Sequence, residues 1–108
     1  MACCRSPWLL AITSHYCIDL LRKRLARQAD VVVMCMGNSS DKIIGQPETT
    51  EGERHDRCNL DLPGLQEDLI LAVAKANPNT VVVLQSGSAV TMKRWIDQVN
   101  AVVDVWYA

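Results

Sequence analysis

Asp30-Val31-Val32-Val33-Met34-Cys35-Met36-Gly37 is a continuous β-branched and apolar run, opened by an acid and closed by a glycine. Such a run, without polar alternation, is what a parallel strand buried on both faces requires. On that reading Cys35 is a small core residue. Working backward, Ile18, Leu21, Leu25 and Ala29 recur at three-to-four spacing and predict a short helix. Arg22, Lys23, Arg24 and Arg27 share that segment and read as its solvated face.

Working forward, Gly37-Asn38-Ser39-Ser40 ends the strand, and residues 38–62 form a long polar connection broken by Gly45, Pro47 and Thr49-Thr50. Leu65, Leu69, Ile70, Val73 and Ala74 then make one apolar stripe, with Glu67 and Asp68 in the first turn and Lys75 in the last, as the helix dipole favours. Asn77-Pro78-Asn79 stops this helix, because proline disfavours helical backbone before it. Thr80 to Gln85 is the next buried strand, turned by Ser86-Gly87-Ser88. Residues 91–98 read as a short helix or irregular segment around Trp95, and Ala101 to Trp106 as a third strand. Strands alternating with helical segments predict a parallel α/β sheet, with right-handed crossovers. Ligands of such sheets bind beyond the carboxyl ends of the strands, where Gly37–Pro63 and Ser86–Ser88 emerge.

Bulk properties narrow the function. A chain of 108 residues is one domain at most. A net charge of −1 and the lack of a large basic block give no nucleic-acid footprint. No run approaches a membrane span. The apolar start of the chain is broken by Pro7 and ends at Thr13-Ser14-His15, so it makes no convincing signal peptide, and the compartment stays open. The five cysteines, Cys3, Cys4, Cys17, Cys35 and Cys58, contain no C-x-x-C pair, and Cys58 with His55 is at most half of a metal site. No Walker lysine, glycine-rich phosphate cradle or nucleophile elbow is present, so no cofactor is expected.

The chemistry-bearing part of the chain is the long connection. Between Glu51 and Asp61, eleven positions hold Glu51, Glu53, Asp56 and Asp61 with Arg54, Arg57 and His55. A polar loop of this length in a compact domain is uncommon and usually functional or disordered. Two carboxylates two residues apart, beside arginines and a histidine, are a set suited to proton transfer on a sugar.

Glu51-Gly52-Glu53-Arg54-His55-Asp56-Arg57 and Leu60-Asp61-Leu62-Pro63-Gly64-Leu65-Gln66-Glu67 resemble the second domain of family-3 glycoside hydrolases, the β-glucosidase and β-xylosidase group. Ala29–Val33 with Gly37 upstream, Ala76–Gly87 downstream and Trp106-Tyr107 extend the resemblance over residues 18–108, leaving 1–17 as an unmatched leader. The resemblance implies a three-layer α/β sandwich, here truncated. It also implies a retaining glycosidase whose two carboxyl groups stand about 5 Å apart. In that family the nucleophile is an aspartate of a separate barrel domain, and a glutamate of the matched loop is the acid/base in many members. Alignment on Asp56-Arg57 brings Glu53 to that position, with Glu51 the rival if the register slips. Arg54 departs from the small residue that many relatives carry there. His55 and Arg57 are candidates for sugar contact, and Asp56 with Arg57 for an ion pair that ties the loop down. Trp95 and Trp106 are placed in the core in preference to a sugar platform. An eight-stranded barrel does not fit in this length, so the expected partners are a barrel domain and a β-glycoside, and the isolated chain is expected to be inactive. A non-catalytic glycan- or subunit-binding module and a gene fragment without selected function are the alternatives.

Overall fold

The computed structural model describes residues 9–13, 20–38 and 59–106. They form one parallel sheet with helices packed on it. In chain order the elements are β1 (Leu9–Thr13), α1 (Leu20–Gln28), β2 (Val31–Gly37), α2 (Gln66–Ala76), β3 (Thr80–Gln85), a single 3-10 turn (Ile96–Gln98) and β4 (Ala101–Val105). The strands lie in the order β1-β2-β3-β4. All three pairings are parallel, with Ala11 opposite Val33, Met34 opposite Val82 and Val83 opposite Val103. The three strands read from the sequence are therefore neighbours, as expected. β1 is an additional strand, and it lies within the first seventeen residues, to which the reading gave no element.

This order explains the layering. Each crossover moves one strand in the same direction, so crossovers of one hand deliver their helices to one face. α1 and α2 pack on each other, and the core lies between them and the sheet. It is built from Val32, Met34 and Met36 of β2, Val82 and Leu84 of β3, Leu69, Ile70 and Val73 of α2, Ala26 of α1, and Leu62 and Trp95. Trp95 is fully enclosed, as expected for a core indole.

The opposite face of the described sheet is open. Val31, Cys35, Val103 and Val105 are exposed, while Val33, Val81 and Val83 are half-buried. The sequence placed Cys35 in a core and β2 between two covered faces. The structure corrects both, because the residues alternating with Val32, Met34 and Met36 point away from the only helical layer among the described residues. The molecule is thus a truncated α/β sandwich. Trp106 is also corrected: it is 61% exposed.

Of the stripe expected for α1, Ala29 packs against the core and Leu25 does not. Ala26 is enclosed, whereas Leu25 is exposed. A small residue at the contact lets α1 approach the end of α2, where the buried Asn77 amide donates to Ala26 O at 2.8 Å and Ala29 O at 2.7 Å. In α2 the expected stripe holds except at its start, where Leu65 precedes the helix and is exposed.

Among the described residues no helix is long and apolar enough to cross a membrane.

Candidate functional site at the carboxyl end of the sheet

The two ends of the sheet differ in chemistry. At the amino end, amides hold the corner between α2 and β3. Asn77 Oδ1 accepts from the Asn79 N–H at 2.8 Å, and Thr80 Oγ1 donates to Asn77 O at 2.7 Å. Asn79 O accepts from the Val32 N–H at 2.9 Å, locking β2 to the same corner. Every polar group in this set faces another polypeptide group, so this end serves the fold.

The carboxyl end is where the long connection begins and returns. β2 ends at Gly37, and the Asn38 N–H donates to Gln85 O at 3.1 Å, which fixes the outgoing stem beside the end of β3. A Cβ on Gly37 would overlap the Gln85 carbonyl, so only glycine permits this approach. Gln66 closes the place from the helix side. Its Oε1 accepts from the Gly37 N–H at 2.8 Å, and its Nε2 donates to Gly37 O at 2.8 Å.

The returning stem has its own ties. Asn59 Oδ1 accepts from the Asp61 N–H at 3.1 Å. Leu60 O accepts from the Thr91 N–H at 2.8 Å, and the Thr91 hydroxyl donates to Asp61 Oδ1. Leu62 and Pro63 are buried, and Gly64 turns the chain into α2 with a φ of 66°, which a side chain disfavours. Beyond β3, the Ser86 hydroxyl donates to Ser88 O at 2.7 Å and is buried, so it serves its turn. Arg94 donates to Glu67 at 2.7 Å and to Asp68 at 3.0 Å, fastening the segment after β3 to the first turn of α2. Hydrogen bonding to Glu67, then to Asp68, holds the Arg94 guanidinium above its ordinary pKa.

These residues build a frame, not a reacting centre. Among the described residues no cluster of three His, Cys, Asp or Glu is arranged to hold a metal. The carboxylates of this frame already have partners: Asp61 meets Thr91, and Glu67 and Asp68 meet Arg94. Glu51, Glu53, Arg54, His55, Asp56, Arg57 and Cys58 lie outside the described residues.

Sequence reasoning missed Thr91, Arg94 and the role of Gln66. Gln66 was visible only as a polar residue of the family-resembling motif, two positions after the Pro63-Gly64 turn. Periodicity cannot tell a solvated glutamine from one that satisfies a distant backbone.

Comparison with known proteins covers most of the chain. The model of the family described as glycosyl hydrolase family 3 C-terminal domain matches residues 21–108. The probable beta-glucosidase J of Aspergillus fumigatus is 44% identical over 82 residues, spanning 76% of this chain and 8% of that protein. The beta-glucosidase of Kluyveromyces marxianus is 49% identical over 65 residues, spanning 60% of this chain and 8% of that protein. Its crystal structure in complex with glucose superposes with a TM-score of 0.69 at 39% identity, covering 81% of this chain and 9% of that one. A beta-glucosidase from Streptomyces venezuelae in complex with D-glucose gives a TM-score of 0.63 at 40% identity, covering 78% of this chain and 9% of that one. The chain therefore spans under a tenth of the length of these relatives.

Proposed function

This chain belongs to the glycosyl hydrolase family 3 C-terminal domains, as part of one, and we propose that it supplies the acid/base half of a β-glucosidase-type site. In this reading Glu53 protonates the departing glycosidic oxygen and then takes a proton from the attacking water, with Glu51 as the rival. A barrel domain outside this chain supplies the aspartate nucleophile, which forms the covalent sugar intermediate. His55 and Arg57 contact sugar hydroxyls, while Asp56 pairs with Arg57. The substrate is a β-glycoside, and no metal or cofactor takes part.

The observation that carries the reading is the framing of the acidic segment. Its outgoing stem at Asn38 and its returning stem at Leu60 and Asp61 are both tied to residues that follow or end β3, at the carboxyl end of a parallel sheet. Parallel α/β sheets place ligands beyond that end. The family match adds the expectation that a barrel faces it.

The test is complementation. The chain alone is expected to show no turnover of an aryl β-glucoside. With the barrel domain of a family relative added in trans, turnover is expected, and Glu53→Gln should abolish it while Glu51→Gln should not. Turnover by the lone chain, or an active Glu53→Gln assembly, would overturn the assignment.

The open apolar face of the sheet favours a second reading, a non-catalytic module that docks on another subunit. Tight binding of the barrel domain with no turnover, unaltered by Glu53→Gln, would select it.

A further inference from the structure

Gly37 is the last residue of β2, and one side chain takes both of its backbone polar groups. The pairing of β2 with β1 runs as far as Thr13 opposite Cys35. Successive residues of a strand direct their N–H and C=O to opposite neighbours. The Asn38 N–H reaches Gln85 on β3, so Gly37 directs its groups to the β1 side, past the last β1 pair among the described residues. A primary amide carries a donor and an acceptor on one planar group, as a peptide does. The Gln66 amide therefore stands where the next ladder residue would stand.

Gln66 is also the first residue of α2 and is buried. The pair joins positions 29 apart in sequence, and the acidic segment lies between them. The direction in which the chain leaves β2 is thereby set against the helix to which it returns. A strand partner at Gly37 would satisfy the same groups without linking the two stems.

We propose that Gln66 is a positioning residue for the acid/base carboxyl, acting through Gly37 by fixing the exit of the acidic segment from β2 to the start of α2. This deepens the proposed function and rests on it. A general acid works only within hydrogen-bond reach of the leaving oxygen. A displacement of about 1 Å at the reacting groups costs on the order of 100-fold in rate.

The experiment has two arms, each run on wild type, Gln66→Leu and Gln66→Glu. In the first, amide hydrogen exchange is followed in the full chain. Gln66→Leu should speed exchange at Gly37 about tenfold or more, and leave Val82 and Leu84 protected. Gln66→Glu keeps the acceptor for the Gly37 N–H and should keep its protection. Unchanged exchange at Gly37 in Gln66→Leu would overturn the proposal whatever the activity.

In the second arm the full chain is assembled with the barrel domain of a relative and given two aryl β-glucosides. One has a poor leaving group that needs protonation, and the other a good one that does not. Gln66→Leu should lower the rate of glycosidic-bond cleavage by about 100-fold for the poor leaving group and leave it nearly unchanged for the good one. Gln66→Glu, nearly the same shape, should lose less and carries this comparison if Gln66→Leu fails to fold. Equal losses on both substrates would mean a merely structural role and overturn the proposal. If the wild-type assembly turns over neither substrate, the proposed function falls and this inference with it. Wild-type turnover that Gln66→Leu leaves intact would overturn this inference alone.

Discussion

Arg94 spans the first turn of α2, with Nη1 on the buried Glu67 at 2.7 Å and Nη2 on Asp68 at 3.0 Å. The two acids were legible in the sequence as dipole partners of the helix. Their arginine was not, because it arrives from beyond β3.

The fork predicts a graded stability series. A lysine presents a point charge and cannot hold both carboxylates with fixed geometry. Arg94→Lys should therefore lower the urea midpoint modestly. Arg94→Met should lower it more, because Glu67 is then left buried without its arginine. The Arg94 side chain is 59% exposed, so the gap between wild type and Arg94→Met should narrow in high salt. A cation whose folded pKa is raised contributes fully below its unfolded value and loses that contribution only as pH rises through the folded one. For Arg94 both values lie far above neutrality. The arginine itself should therefore bring no pH dependence near neutrality. A midpoint gap that changed sharply between about pH 6 and 9 would contradict this.

Asn77 is the keystone of the amino end, since its amide donates to Ala26 O and Ala29 O and accepts from the Asn79 N–H. Asn77→Ala should cost about 3 kcal/mol in chemical unfolding, because several groups in a buried corner lose their partner at once. Asn77→Asp keeps the acceptor but turns an oxygen toward two carbonyl oxygens. That environment raises the folded-state pKa of the new carboxyl. Its stability should therefore fall as pH rises from about 4 to 7, whereas wild type should show no such fall from this site.

These two contacts mark what the sequence could and could not disclose. The parallel strands and α2 were legible because buried β-branched runs and a 3.6-residue stripe are local signals. β1 was not, because Leu9–Thr13 lies beside Pro7 and a short polar stretch that made the run look broken. The face assignment failed for Cys35 and Leu25, because which face a helix covers depends on the order in which strands are laid down. The acidic segment was legible as a motif, and Glu51, Glu53, His55 and Arg57 lie outside the described residues. Gln66, Thr91 and Arg94 were illegible in role, since each acts on a group far away in the chain.

The two constrained glycines should respond differently to a methyl group. At Gly37 the obstacle is the backbone carbonyl of Gln85, which cannot swing aside as a side chain can. Gly37→Ala should destabilise by about 3 kcal/mol and loosen the Gln66 contact with it. At Gly64 the obstacle is the backbone angle, with φ at 66°. Gly64→Ala should cost about 1 kcal/mol. Equal effects at the two sites, read from denaturant midpoints, would refute the distinction.

The open face of the sheet gives the last prediction. Val31, Cys35, Val103 and Val105 expose apolar surface that β-sheets of this kind ordinarily keep covered. β4 is also an edge strand whose outer backbone groups pair with no strand among the described residues. Both features favour self-association of the lone chain through non-specific contact. Val103→Lys should therefore leave thermal stability within about 0.5 kcal/mol of wild type, since it removes little burial, and should raise the concentration at which the chain stays monomeric in sedimentation. Val82→Lys, on β3 one residue before Val83, the cross-strand partner of Val103, and fully enclosed, should abolish folding by burying an unpaired charge. In the native chain Cys35 should react with a thiol reagent at nearly the rate of an unfolded control. A Cys35 that reacted only on denaturation, or a Val103→Lys variant as unstable as Val82→Lys, would mean that this face is covered in solution and that the sheet has a second layer.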